Sequence, residues 1–178
     1  MSPINAVIVQ NRLYIWSKNM QIKVIAVGKL KENYWREAVA EYLKRLSPYA
    51  RVEIIEVAEE KIAENPSDAE IRLCTAKEGE RILKNISLAW YVIPLVIEGS
   101  MLSSGELAGF FGRLSVEGKS QIVIIIGSSH GLAPEVLERG NYLLSFSPMT
   151  FPHQMMRVIL LEQVYRAFKI LKGEPYHK

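Results

Sequence analysis

Short β-branched runs alternate with longer stretches of helical period along most of this chain. Strands are predicted over 22–27, 52–57, 90–97, 121–126 and 142–145, and helices over 32–46, 68–85, 104–117, 134–139 and 152–172. The run Ile122-Val-Ile-Ile-Ile126 has no polar alternation, so both its faces are predicted to be covered, as in a central parallel strand. Strand–helix alternation then implies an α/β fold: an open, mostly parallel sheet with helices on both faces. Ser67-x-x-Glu70 and Ser103-x-x-Glu106 carry the capping-box signature, and Pro134 and Pro152 fit a first helical turn. Pro94 is awkward, because it withdraws a ladder donor from a predicted inner strand and marks a local defect or a change of direction. Ligands of such sheets sit beyond the carboxyl ends of the strands. Three loops meet that description: 98–104, 127–134 and 146–151.

A chain of 178 residues fits one domain with a core that needs no disulfide or metal. Residues 1–19 lack the periodicity of a domain element, whereas Met20 opens a strand-like run. They read as a loosely ordered N-terminal extension, with an added edge strand from Val7-Ile-Val9 as the alternative, and residues 20–178 as the single domain. The net charge is +3, but Arg12 and Lys18 lie in the extension, which has no acid, so the domain is close to neutral. Global charge therefore does not announce a nucleic-acid partner. A local patch would have to hold one, and Arg157, Arg166, Lys169, Lys172 and Lys178 against Glu162 and Glu174 supply it. Cys74 is the only cysteine, which excludes an intrachain disulfide, fits a cytoplasmic location, and reads as a small buried apolar residue. No apolar run approaches a membrane span, and the first residues do not form a secretory signal.

Candidate chemistry collects late in the chain. Gly127-Ser-Ser-His-Gly131 follows the most apolar strand, and its glycines permit close backbone approach to a ligand. It lacks both the dinucleotide fingerprint and the Gly-Lys-Ser/Thr ending of a phosphate loop, so an ordinary strand-to-helix turn explains it equally well. His130, His153 and His177 lack metal-site spacing and an acidic cluster, so no metal is expected. His130 reads as an ordinary polar residue, His153 is balanced between that and a function, and His177 beside Tyr176 reads as functional. The last helix is apolar round most of its circumference. A buried core helix explains that, and so does one that packs on the sheet and on a second copy of itself; in so small a domain the homodimer is preferred. Glu162 and Arg166, four residues apart, suit a mutual ion pair, or Arg166 suits a phosphate.

From residue 20 to the end, the chain resembles the SPOUT-class ribosomal large-subunit methyltransferase H family. The marks are Ile-x-Val-Ile-Ala-Val-Gly-Lys-Leu-Lys31, Met101-Leu-Ser-Ser104, Ile126-Gly127 with Gly131-Leu132, Leu144-Ser-Phe-Ser-x-Met-Thr-Phe-Pro-His-Gln-Met-Met-Arg157, Glu162-Gln-Val-Tyr-Arg-Ala-Phe168 and Pro175-Tyr-His-Lys178. The resemblance implies S-adenosylmethionine-dependent methylation of N3 of pseudouridine 1915 in 23S rRNA of the assembled ribosome. It also implies a C-terminal trefoil knot and a homodimer. Carried over residue by residue, the cofactor contacts fall at Leu95, Gly127, Phe146, Ser147, Pro148, Met149, Thr150 and Phe151. Two departures stand beside that pocket: Ser128 where a second glycine is usual, and Pro94 where a free N–H is usual.

Within that resemblance, Arg166 is expected to hold phosphate or the deprotonated base, Tyr176 to stack on the target base, and His177 to accept the proton or position the base, with His153 in reserve. Two rivals remain: a non-catalytic ribosome-assembly or RNA-binding factor on the same fold, and a nucleotide-dependent oxidoreductase, against which the missing three-glycine turn argues.

Overall fold

The computed structural model describes residues 5–9, 12–16 and 20–176. Five strands form one all-parallel sheet: β3 (Gln21–Val27), β4 (Arg51–Val57), β5 (Tyr91–Met101), β6 (Gln121–Ile126) and β7 (Leu144–Ser145), in the order β4-β3-β6-β5-β7. The helices are α1 (Asn33–Leu46), α2 (Asp68–Leu83), α3 (Ser104–Val116), α4 (Pro134–Glu138) and α5 (His153–Leu171). Ahead of them, β1 (Asn5–Val9) and β2 (Arg12–Trp16) pair antiparallel as a separate two-stranded sheet. The Val7-Ile-Val9 run is thus strand, but it does not extend the main sheet.

The unbroken apolar run does occupy the middle of the sheet, as β6 between β3 and β5. Its alternate residues feed two cores. Ile122, Ile124 and Ile126 join α1, α3 and α5 on one face, while Val123 and Ile125 join Ile82 of α2 and Val136 of α4 on the other. A strand wrapped on both faces needs no polar positions. Both capping boxes form, Ser67 with Glu70 and Ser103 with Glu106. Pro134 opens α4, whereas Pro152 sits one residue outside α5, at its N-cap.

Pro94 is a regular member of β5, paired with Ile125 of β6. In a parallel ladder alternate residues face the same neighbour. Val92 donates its N–H to Asn141 Oδ1 (2.8 Å) and accepts from Asn141 N–H (2.8 Å), so it faces away from β6. Pro94 faces the same way, and β6 loses no hydrogen bond. The space beside the proline ring is taken by Gly140, where an added Cβ would lie 2.9 Å from Pro94 Cγ and Cδ.

The expected 98–104 loop is shorter than its sequence suggests. β5 continues to Met101, slipping in register so that Leu95 and Ser100 both face Leu144. Gly99 makes this contact close, since a Cβ there would lie 2.7 Å from the Leu144 carbonyl carbon. Glu98-Gly-Ser100 gives no strand signal by side-chain pattern, because the pairing is made by backbone alone.

Candidate functional site

Beyond the carboxyl ends of β6 and β7, and beside the middle of β5, lies a cavity of about 760 Å³. One wall is Leu95 to Glu98 of β5, a second is the turn after β6, and a third is the segment from Phe146 into the first turn of α5. Seven of the eight residues expected to hold a cofactor line this single space: Leu95, Gly127, Phe146, Ser147, Met149, Thr150 and Phe151. Pro148 lies in the same loop but outside the lining. His130 and His153 line the cavity too.

The turn after β6 is built to bring backbone close. A Cβ at Gly127 would sit 2.6 Å from the Gly131 carbonyl oxygen, inside any tolerable contact. Gly131 takes a positive φ of 85° and donates its N–H to the Ser128 carbonyl at 3.0 Å, closing the turn on itself. The turn is then fixed from outside. Ser128 Oγ donates to Glu78 Oε2 (2.8 Å), and Glu78, only 2% exposed, also accepts the Glu60 N–H at 2.9 Å. Sequence reasoning missed Glu78. Its one signal was an acid on α2 at the spacing of the buried Cys74, Thr75, Gly79 and Ile82. The 146–151 loop is braced within itself, Met149 N–H donating to Ser147 Oγ at 2.9 Å and Ser145 Oγ donating to the Ser147 carbonyl at 3.3 Å.

Arg157 proves to be an internal brace, not part of a surface patch. It is fully buried, donating to Glu56 Oε1 (2.6 Å) and to the carbonyls of Val27 (3.0 Å) and Gly28 (2.9 Å). Burial pulls its pKa down, against the opposing pull of Glu56. It thereby ties the cavity end of α5 to the ends of β3 and β4.

The remaining expected cations on α5 are answered by acids of the same chain. Arg166 donates twice to Glu162 Oε1 (2.9 and 2.6 Å), and Lys169 and Lys172 reach Glu174 at 2.7 and 3.8 Å. Tyr176 completes the cluster: its hydroxyl donates to Glu162 Oε1 at 3.0 Å and its ring lies 4.1 Å from the Arg166 guanidinium. Burial first, and then the Glu162 carboxylate, push the Tyr176 phenol up to about 12. Arg166 and Tyr176 are therefore brought together, but not with the cavity. Thirteen residues of helix separate His153 from Arg166, about 20 Å at 1.5 Å per residue. His177 and Lys178 lie outside the described residues. As for the apolar girth of α5, the helix runs between α1 and α3, so one chain already covers much of it.

A family model described as a predicted SPOUT methyltransferase matches residues 20–177. The chain belongs to the SPOUT methyltransferase family. Solved structures similar to this methyltransferase include a probable methylase family protein from Haemophilus influenzae Rd KW20, 17% identical, covering 89% of this chain and 70% of that one, with a TM-score of 0.48. Another is a probable rRNA-methyltransferase from Porphyromonas gingivalis, 12% identical, covering 89% and 73%, also with a TM-score of 0.48.

SPOUT methyltransferases take their methyl group from S-adenosylmethionine. The residues present fit that donor. The volume is within the range of small-molecule sites, the lining is mainly apolar, and at Gly131 no atom lies within 4 Å of where a side chain would begin, so backbone there is open to a ligand. Among the described residues no group of three His, Cys, Asp or Glu is placed to hold a metal, and no helix is long and apolar enough to cross a membrane.

Proposed function

We propose that this methyltransferase modifies N3 of pseudouridine 1915 in 23S rRNA of the assembled bacterial ribosome, working in the cytoplasm as a homodimer. The observation that carries the reading is the hollow bounded by the 127–131 turn, the 146–151 loop and the middle of β5, where backbone lies open to a ligand. Leu95, Gly127 and the segment from Phe146 through Pro148 to Phe151 grip the adenosine and methionine parts of the donor. The donor supplies a methyl already activated on a sulfonium, so the protein's task is alignment and exclusion of water. N3 becomes a nucleophile only on losing its proton, so the protein would also have to take that proton up for the methyl to be transferred.

Arg166, Tyr176 and His177 belong to the acceptor side of this reading. Arg166 holds phosphate or the deprotonated base, Tyr176 stacks on the target base, and His177 accepts the proton or positions the base. The span of about 20 Å between the cavity and the tail cluster supports a second copy, whose tail would close over the cavity of the first. A trefoil knot fits the same reading, with β7 set outside β5 and residues 140–143 laid against the strand it must cross.

Mass mapping of large-subunit rRNA from cells with and without the gene tests the proposal. A methyl group on pseudouridine 1915 that disappears with the gene is expected; an unchanged modification map overturns it.

A further inference from the structure

The β3–α1 loop offers what the neutralised face of α5 does not. Lys29, Lys31 and Arg36 are exposed, and between them Tyr34 is 59% exposed, its ring 4.9 Å from that of Trp35. The loop is held rigidly. Leu30 N–H donates to Glu56 Oε1 (2.9 Å), and Lys31 N–H to Gln154 Oε1 (2.8 Å). Arg36 donates to the carbonyls of Leu30 (3.3 Å) and Lys31 (3.0 Å) and to Asn33 Oδ1 (2.6 Å). Arg36 is thus occupied in shaping the loop. Among the described residues neither Lys29 nor Lys31 has a carboxylate within ion-pair distance, although Glu32 and Glu37 are exposed close by in sequence.

The loop also borders the methyl-donor cavity. A Cβ at Gly28 would lie 3.7 Å from Nε2 of His153, a cavity residue, and the Gln154 that anchors Lys31 is the next residue of α5. We propose that Lys29, Lys31 and Tyr34 form a contact surface for single-stranded RNA beside the cavity, the two ammonium groups on phosphates and the ring under a base. Exposed cations on a fixed loop, followed by an exposed ring in the first turn of α1, match that chemistry better than an acidic protein surface, which would leave the ring without a partner. The inference rests on the RNA-methylating reading above.

The test is a salt titration of binding to a fluorescent RNA hairpin carrying the 23S sequence around position 1915, using the full chain. In the variant Lys29→Ala/Lys31→Ala the slope of log affinity against log salt should fall by about 1.5, and affinity at moderate salt by about tenfold. Tyr34→Ala should weaken binding about tenfold with the slope unchanged. S-adenosylmethionine affinity should not change in either, which shows that the variants are folded. Lys44→Ala/Lys84→Ala, at the ends of α1 and α2 remote from the cavity, should leave the slope nearly as it was. An unaltered slope in the Lys29/Lys31 variant, or an equal fall in the Lys44/Lys84 variant, overturns this inference alone. A wild-type chain that does not bind the hairpin also overturns this surface, whereas the RNA reading itself falls only to an unchanged rRNA modification map in cells without the gene.

Discussion

The two ends of α5 solve opposite problems. At its start, backbone turns and buried braces hold a hollow open: Arg157 ties the helix to β3 and β4, and Glu78 steadies the turn after β6. At its finish, side chains of both signs close on one another, with Glu162 gathering Arg166 and Tyr176, and Glu174 gathering Lys169 and Lys172. The first end is complete within one chain. The second is a cluster of mutually satisfied side chains about 20 Å away from that hollow along the helix. Rigid backbone suits a small molecule of fixed shape, whereas exchangeable ion pairs suit a partner that must displace them.

The comparison breaks most sharply at Arg157. Arg157→Ala removes the donor shared by two strand-end carbonyls and leaves Glu56 only the Leu30 N–H, and should cost about 3 kcal/mol in urea unfolding. A loss below about 1 kcal/mol would show that the brace is dispensable. Next comes Gly127→Ala, which forces a Cβ onto the Gly131 carbonyl and should weaken S-adenosylmethionine binding by about 2 kcal/mol, close to thirtyfold, by calorimetry. Glu78→Ala strips Ser128 and the Glu60 N–H of their acceptor and should reduce donor affinity by about 1 kcal/mol.

The smallest effect belongs to the far end. Glu162→Ala should bring the Tyr176 phenol down from about 12 toward its ordinary 10, read by ultraviolet titration, with donor affinity unchanged. The sign for the wild type follows from the same shift. The docked tail keeps its phenolic proton where a released tail loses it, so docking is at full strength below pH 10 and weakens as pH rises through about 12. A Tyr176 phenol titrating at its ordinary value in the wild type would remove the locked tail from the account.

What was legible in the sequence was mostly what near neighbours in the chain decide. The apolar run 122–126 announced a central strand, the capping boxes placed two helix starts, and Phe146 to Phe151 read as a loop of chemical interest. The Glu162–Arg166 pair was readable because four residues make one helical turn. The illegible features are pairings across long sequence distance. Arg157 meets Glu56, Val27 and Gly28 only after α5 docks on the sheet, so by sequence it looked like one more surface cation. Glu78 depends on Ser128 fifty positions on. Pro94 seemed an obstacle because sequence does not say which neighbour a strand residue faces.

The central claim is that the methyl donor is held by backbone loops of a single chain, while the closing residues serve only the transfer. Calorimetric titration of S-adenosylmethionine into the full chain and into a chain lacking residues 175–178 tests it most directly, with ribosome methylation measured on the same samples. The account predicts equal donor affinity in both and methylation lost in the shortened chain. Absence of binding heat in the full chain, or a tenfold weaker affinity after shortening, would contradict it.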